Sequence, residues 1–177
     1  MKVAIGSDHA GFAQKESLKK YLANQGHEVI DKGTMSDERC DYPDFAEAVA
    51  LAVQSGEADR GVLVCGTGIG MALAADKVTG IRAATITSVP FAELCRQHND
   101  LNVICLSGRF VEPEVNEQIV QTFLNTKFEG GRHALRVAKI MRLDHDPARP
   151  TTTEETVLPG RPPRSIDISE EASPFNR

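Results

Sequence analysis

Short apolar runs alternate along this chain with segments whose apolar residues recur every four positions, and that alternation limits the possible folds more than any other feature. Val3–Ile5, Val29–Ile30, Val62–Cys65, Ile81–Ile86 and Val103–Leu106 read as buried strands. Phe45, Val49 and Val53 behind Pro43-Asp44 predict a helix, as do Val115, Ile119, Phe123 and Leu124 behind Pro113. Further helices are predicted over 11–24, closing near Gly26, over 89–98 behind Ser88-Val89-Pro90, and from Met71 through Ala75. The stretch 130–142 reads as a last helix launched by two glycines. Strand–helix alternation of this kind implies a parallel sheet covered on both faces. The predicted class is therefore α/β, a Rossmann-like three-layer αβα sandwich around a five-stranded parallel sheet. Ligands of open parallel sheets bind beyond the carboxyl ends of the strands, which points to 6–11, 32–43, 65–70, 86–90 and 107–112.

The composition changes beyond residue 143. Six of the nine prolines fall in the last 34 residues, beside a Thr151-Thr-Thr-Glu-Glu run with little apolar periodicity. Such a stretch buries too little surface to offset its ordering entropy. The expected organisation is one domain over 1–143 and a Pro-rich extension over 144–177, mobile or laid along a neighbouring subunit. The net charge of −5 and the lack of a long basic run argue against nonspecific nucleic-acid binding. The apolar runs are strand-sized, far short of a membrane span of about 18 residues. The start Met1–Gly6 passes straight into acidic and polar residues rather than forming an apolar signal segment, so the expectation is a cytoplasmic protein. Cys40, Cys65, Cys95 and Cys105 form no Cys-x-x-Cys pair and no zinc-like spacing with histidine, so four free thiols are predicted.

Cys65 differs from the other three in its neighbours. It ends an apolar run and opens Gly66-Thr-Gly68-Ile-Gly70, whose alternate glycines let backbone pass close to a ligand. A thiol at the amino end of the following helix would face unpaired N–H groups and the positive end of the helix dipole, which favours its use as a base or nucleophile. The competing reading is a small buried residue that ends a strand. The glycine spacing is not G-x-G-x-x-G, and no Lys-Ser or Lys-Thr follows to make a nucleotide-phosphate loop. Met71 stands six residues after the thiol, where a cysteine-dependent phosphatase needs arginine.

Asp8 and His9 follow the first predicted strand, and an aspartate there also suits a helix cap. His98 closes the helix over 89–98, where an imidazole interacts well with the dipole even without further function. Arg132 and Arg136 are four residues apart and share a helix face, either as solvated surface charge or as a phosphate clamp.

Taken together, Gly6-Ser-Asp8-His9-Ala-Gly11-Phe12, Asp41-Tyr42-Pro43, Cys65-Gly-Thr-Gly-Ile-Gly70, Arg96-Gln-His98-Asn99-Asp100-Leu-Asn102-Val103 and Glu129-Gly-Gly-Arg132-His133 resemble the type-B ribose-5-phosphate isomerases. That family also holds galactose-6-phosphate, allose-6-phosphate and erythrulose-4-phosphate isomerases. The resemblance covers 1–143; the extension lies outside it. It implies aldose–ketose isomerisation through an enediolate, without metal or cofactor, in a homodimer or homotetramer with sites at subunit boundaries. It further implies Cys65 as the carbon-proton base, Thr67 as the hydroxyl that helps move protons between the substrate oxygens, and Asp8 and His98 in ring opening. Tyr42 and Asn99 would line the site beside Gly66, Gly68 and Gly70. His9, Arg109, Arg132 and Arg136 would hold the phosphate, partly from the partner chain. Some family members carry a glutamate base a few residues later; Gly70-Met71-Ala72 offers no carboxylate here.

The chemistry asks for the same groups. Opening a sugar ring needs an acid–base pair, and removing a proton beside a carbonyl needs a base with donors for the resulting oxyanion, here the N–H groups of 66–70. The leading expectation is a ribose 5-phosphate/ribulose 5-phosphate isomerase. A four- or six-carbon sugar phosphate is the alternative substrate. A non-catalytic sugar-phosphate binding module is less consistent, because it has no need for Cys65, Thr67 and His98 together.

Overall fold

The computed structural model describes residues 1–144; the predicted extension, apart from Asp144, lies outside the described residues. In chain order the elements are β1 (Lys2–Ser7), α1 (Phe12–Asn24), β2 (Glu28–Asp31), α2 (Tyr42–Gln54), β3 (Arg60–Cys65), α3 (Ile69–Ala75), β4 (Ala83–Thr85), α4 (Val89–Asn99), β5 (Val103–Ser107), α5 (Pro113–Asn125) and α6 (Arg132–Arg142). All strand pairings are parallel, in the order β2-β1-β3-β5-β4. The expected three-layer sandwich is what forms.

Alternation within each strand builds two cores. Val3, Ile5, Val62, Val64, Ile104 and Leu106 face α1, α4 and α5, where Leu18, Leu22, Ala92, Ile119 and Phe123 meet them. Ala4, Leu63, Cys65, Val103 and Cys105 face α2 and α3. This second core is thin, because α2 presents Ala46, Val49 and Ala50 and the strands answer with glycine. A Cβ at Gly6 would lie 2.9 Å from Val49 Cγ2, and one at Gly61 would lie 2.8 Å from Val49 Cγ1. Close packing of α2 onto the sheet sets where its first residue, Tyr42, stands.

Prolines enter the first turns of α2, α4 and α5, where the missing N–H costs nothing. β4 is shorter than the predicted Ile81–Ile86. Side chains replace the ladder at its start: Asn102 Oδ1 accepts the Arg82 N–H at 2.8 Å and Asp76 Oδ1 accepts the Ala83 N–H at 2.7 Å. All four thiols are free, as predicted. Burial pushes the Cys95 thiol up to about 11 and Cys105 well above its ordinary range, which suits both to packing. Among the described residues, no helix is long and apolar enough to cross a membrane.

Candidate active site

The carboxyl edge of the sheet gathers one set of the predicted residues. Ser7 pairs with Val64 across β1 and β3, and Cys65 pairs with Ser107 across β3 and β5. Three loops therefore leave the sheet side by side. They are tied together by the Gly108 N–H, which donates to Cys65 O at 2.8 Å, and by the Asp8 N–H, which donates to Val64 O at 3.3 Å. Ser107 Oγ donates to Gly66 O at 2.8 Å and accepts the Phe110 N–H at 3.0 Å, while Asn116 Nδ2 donates to Ser107 O at 2.9 Å.

Cys65 is buried at the end of β3, and its Sγ accepts the Gly68 N–H at 3.1 Å. Gly68 holds a left-handed φ of 81°, which lets the turn fold back over the sulfur. Thr67 is exposed at the tip, its Oγ1 accepting the Ile69 N–H at 3.3 Å. Gly70 admits the Tyr42 ring, since a Cβ there would lie 2.7 Å from Tyr42 Cζ. Arg109 lies across Gly66, its Nη1 3.7 Å from where a Cβ would sit. Asp8 is buried, and its Oδ1 accepts the Gly11 N–H at 3.0 Å, so it closes the turn into α1. His9 Nδ1 stands 3.3 Å from both the backbone N and O of Cys40, which holds the 32–41 loop against the site.

The remaining predicted residues lie at the other edge. Because α4 runs antiparallel to the strands, its carboxyl end returns to the amino end of β5, with His98 half-buried and Asn99 exposed. Four residue steps of β5 separate the two edges, about 13 Å along the sheet. His98 stacks on His133, with ring centroids 4.2 Å apart and planes 3° from parallel. His133 is buried, whereas Arg132 and Arg136 on the same helix are exposed. Arg132 Nε lies 3.3 Å from His133 Nε2, and Glu129 Oε2 lies 3.7 Å from the same nitrogen. Burial, the His98 ring, Arg132 and Arg136 together lower the proton affinity of His133. The predicted site residues therefore fall into two separate groups in this chain. One is Asp8, His9, Tyr42, Cys65, Gly66, Thr67, Gly68, Gly70 and Arg109; the other is His98, Asn99, Arg132 and Arg136.

Sequence reasoning missed the side chains that hold these two groups in place. The α4 end is fixed by Asp100, left-handed at φ 49°, whose carboxylate pairs with Arg82 at 2.9 Å and with the buried Arg96 at 2.8 Å. Arg96 also donates to Leu101 O. Across the sheet, fully buried Lys15 donates to both Asp31 carboxylate oxygens at 3.0 and 2.9 Å. Asp31 Oδ1 accepts the Gly33 N–H at 2.9 Å, and Gly33 O accepts the Ser7 N–H at 2.7 Å, beside Asp8. Burial would raise the Asp31 carboxyl, but Lys15 and Lys19 outweigh it and hold it below its ordinary value. The sequence signal for Arg96 and Asp100 was their place inside the Arg96–Val103 motif.

Comparison with known proteins shows the family to which the chain belongs. The family model described as Ribose/Galactose Isomerase matches residues 3–140. Ribose-5-phosphate isomerase B of Escherichia coli is 48% identical over 143 residues, covering 81% of this chain and 96% of that protein. The solved ribose-5-phosphate isomerase B of Clostridium thermocellum superposes with a TM-score of 0.81 at 49% identity, over 82% of this chain and 98% of that one. The Mycoplasma genitalium enzyme, solved with bound ribulose-5-phosphate, gives 0.79 at 44% identity, over 82% and 97% of the two chains. With its family model matched over nearly the whole described region and its relatives spanned almost end to end, this chain belongs to the ribose/galactose isomerase family.

Proposed function

We propose that this chain interconverts ribose 5-phosphate and ribulose 5-phosphate through a cis-enediolate, with Cys65 as the carbon-proton base. The observation that carries this reading is the Cys65 sulfur, bonded by the Gly68 N–H at the end of a central strand, in a turn opened by glycines. The Escherichia coli relative bears the name of this activity, and the Mycoplasma genitalium relative was solved with the ketose product.

The reaction proceeds in three stages. Asp8 and the partner's His98 exchange protons with the ring oxygen and the anomeric hydroxyl, releasing the open-chain aldehyde. The Cys65 thiolate then removes the C2 proton; the C–H electrons become the C1–C2 double bond, and O1 takes up charge. Gly68 and Ile69 already spend their N–H groups on Cys65 Sγ and Thr67 Oγ1. The oxyanion role therefore falls to the amides of Gly66, Thr67 and Gly70, a narrower set than the whole turn. Cys65 finally returns its proton to C1 while O2 loses a proton, with Thr67 relaying between the two oxygens, so the balance closes without cofactor. His9 and Arg109 from one protomer, with Arg132 and Arg136 from the other, hold the phosphate, and that binding orients C1 and C2. Tyr42 and Asn99 line the cleft.

This reading requires a partner subunit, because Cys65 and His98 stand at opposite edges of one protomer. A two-fold homodimer, alone or within a tetramer, sets the carboxyl edge of each protomer against the α4–α6 edge of the other. We assign catalysis to residues 1–143 in the cytoplasm, with 144–177 as an appended segment.

Two measurements test the proposal. Turnover in deuterated water should place deuterium at the substrate carbons, and Cys65→Ser should abolish that exchange while phosphate-ligand affinity stays within about twofold. A kcat/KM panel of four-, five- and six-carbon sugar phosphates should favour ribose 5-phosphate. Near wild-type exchange in Cys65→Ser, or preference for a six-carbon substrate, would contradict the corresponding part.

A further inference from the structure

We propose that His98, Glu129 and His133 bind a divalent transition ion of borderline softness, Zn2+ being the best match, and that the bound ion takes the His98 imidazole out of sugar-ring opening. The three donors come from three parts of the chain: the end of α4, the connection after α5, and the first turn of α6. Their ligand atoms all lie within 4.8 Å of one another. Donors on one tetrahedral zinc stand about 3.4 Å apart, given Zn–N and Zn–O bonds near 2.1 Å. Closing the difference requires only terminal side-chain rotation, and those torsions are broad for histidine and glutamate.

The donor chemistry also fits. Two imidazoles and one carboxylate are the set found in zinc sites that keep an open fourth position, and imidazole nitrogen prefers zinc-like ions to magnesium or calcium. The Arg132 Nε–H aimed at His133 Nε2 marks that nitrogen as bearing a lone pair, the form a metal needs. The Gln97 carbonyl accepts the Glu129 N–H at 3.1 Å, fixing the carboxylate's backbone beside the two rings. Arg132 and Arg136 oppose a cation and Glu129 favours it, so the affinity expected is below that of a closed structural site.

The stacking gives the site its consequence. Lone pairs of imidazole lie in the ring plane, so rings 3° from parallel cannot both aim at one ion. Binding must turn one ring and break the stack. His133 is buried and His98 half-buried, so His98 is the ring that turns. The loss of ring opening rests on the role given to His98 under the proposed function; the binding itself does not.

The test uses the full-length protein. Calorimetry with Zn2+ should find one ion per chain, and Co2+ should give ligand-field bands without a sulfur-to-metal charge-transfer band. Glu129→Gln and His133→Gln should each weaken binding by at least about tenfold, and Glu129→Gln should keep its metal-free turnover. Zn2+ should inhibit the wild type reversibly on chelation, with the Glu129→Gln dose curve displaced by the same factor. No binding, undiminished binding in both variants, or a thiolate band indicating Cys65 as ligand would overturn the site. Binding with unchanged turnover would overturn the withdrawal of His98. Metal-free His98→Asn separates the two ideas: if it turns over normally, the assigned role of His98 fails and the site does not.

Discussion

Gly11→Ala places a single methyl group where the fold and the chemistry meet. The backbone there is unremarkable, with φ at −99°, so conformational strain is not the cost. The cost is contact: a Cβ at Gly11 would stand 2.4 Å from Val64 O, 2.6 Å from Val64 C and 3.0 Å from Cys65 N. A carbon rests against a carbonyl oxygen at about 3.3 Å, so about 0.9 Å must be recovered by moving backbone. Either the Asp8–Gly11 turn lifts away or the end of β3 shifts, and both carry proposed catalytic groups. Overpacking of this kind costs about 1–3 kcal/mol, and at about 2–4 °C per kcal/mol for a domain of this size Tm should fall by about 2–12 °C. A misplacement near 1 Å costs up to about 10²-fold in rate. Calorimetry and steady-state kinetics read the two effects separately, and kcat should fall by about 10- to 100-fold in protein that remains folded. Wild-type Tm and kcat in Gly11→Ala would refute the claim that close backbone contact sets the position of Cys65.

Two further outcomes follow from the charges. Arg136→Ala should raise KM for the sugar phosphate more than it lowers kcat, because it removes a proposed phosphate contact and no proposed reacting group; unchanged KM would show that this arginine does not reach the substrate. Burial and the amino-terminal charge hold His27 below its ordinary value of 6.5. The unfolded chain thus takes up a proton near pH 6.5 that the folded protein still resists, and stability present above that pH declines as pH falls through it. His27→Gln should flatten this part of a Tm-against-pH curve, and an unchanged slope would remove His27 as its source.

The layers of the fold were readable because each depends on local pattern. Val3–Ile5 and Val62–Cys65 are unbroken apolar runs, and Phe45, Val49 and Val53 recur behind a proline, so strand and helix could be assigned without knowing their neighbours. The Cys65 turn was readable for the same reason, since its three glycines lie within five residues of one another in the chain. What escaped depends on tertiary pairing. Lys15 is a charged residue in a helix, and only the return of β2 brings Asp31 to it, which is what allows its complete burial. His133 stands beside Arg132 in sequence, yet it is the buried member of α6, because its ring meets His98 from a different helix. The separation of Cys65 from His98 follows from the direction of α4, which a motif alone does not encode. Ile81 and Arg82 failed as strand because the Ile81 N–H turns back to the Val78 carbonyl and the Arg82 N–H goes to the Asn102 side chain.

An active centre shared between two chains can be probed by mixing inactive partners. Cys65→Ala and His98→Asn, each tagged, co-expressed and assembled at random, yield hybrids in which one site carries both substitutions and the other carries neither. Each variant alone should be nearly inactive, and the mixture should regain about a quarter of the wild-type turnover. A mixture no more active than its two parents would contradict catalysis by the thiol of one chain with the imidazole of another.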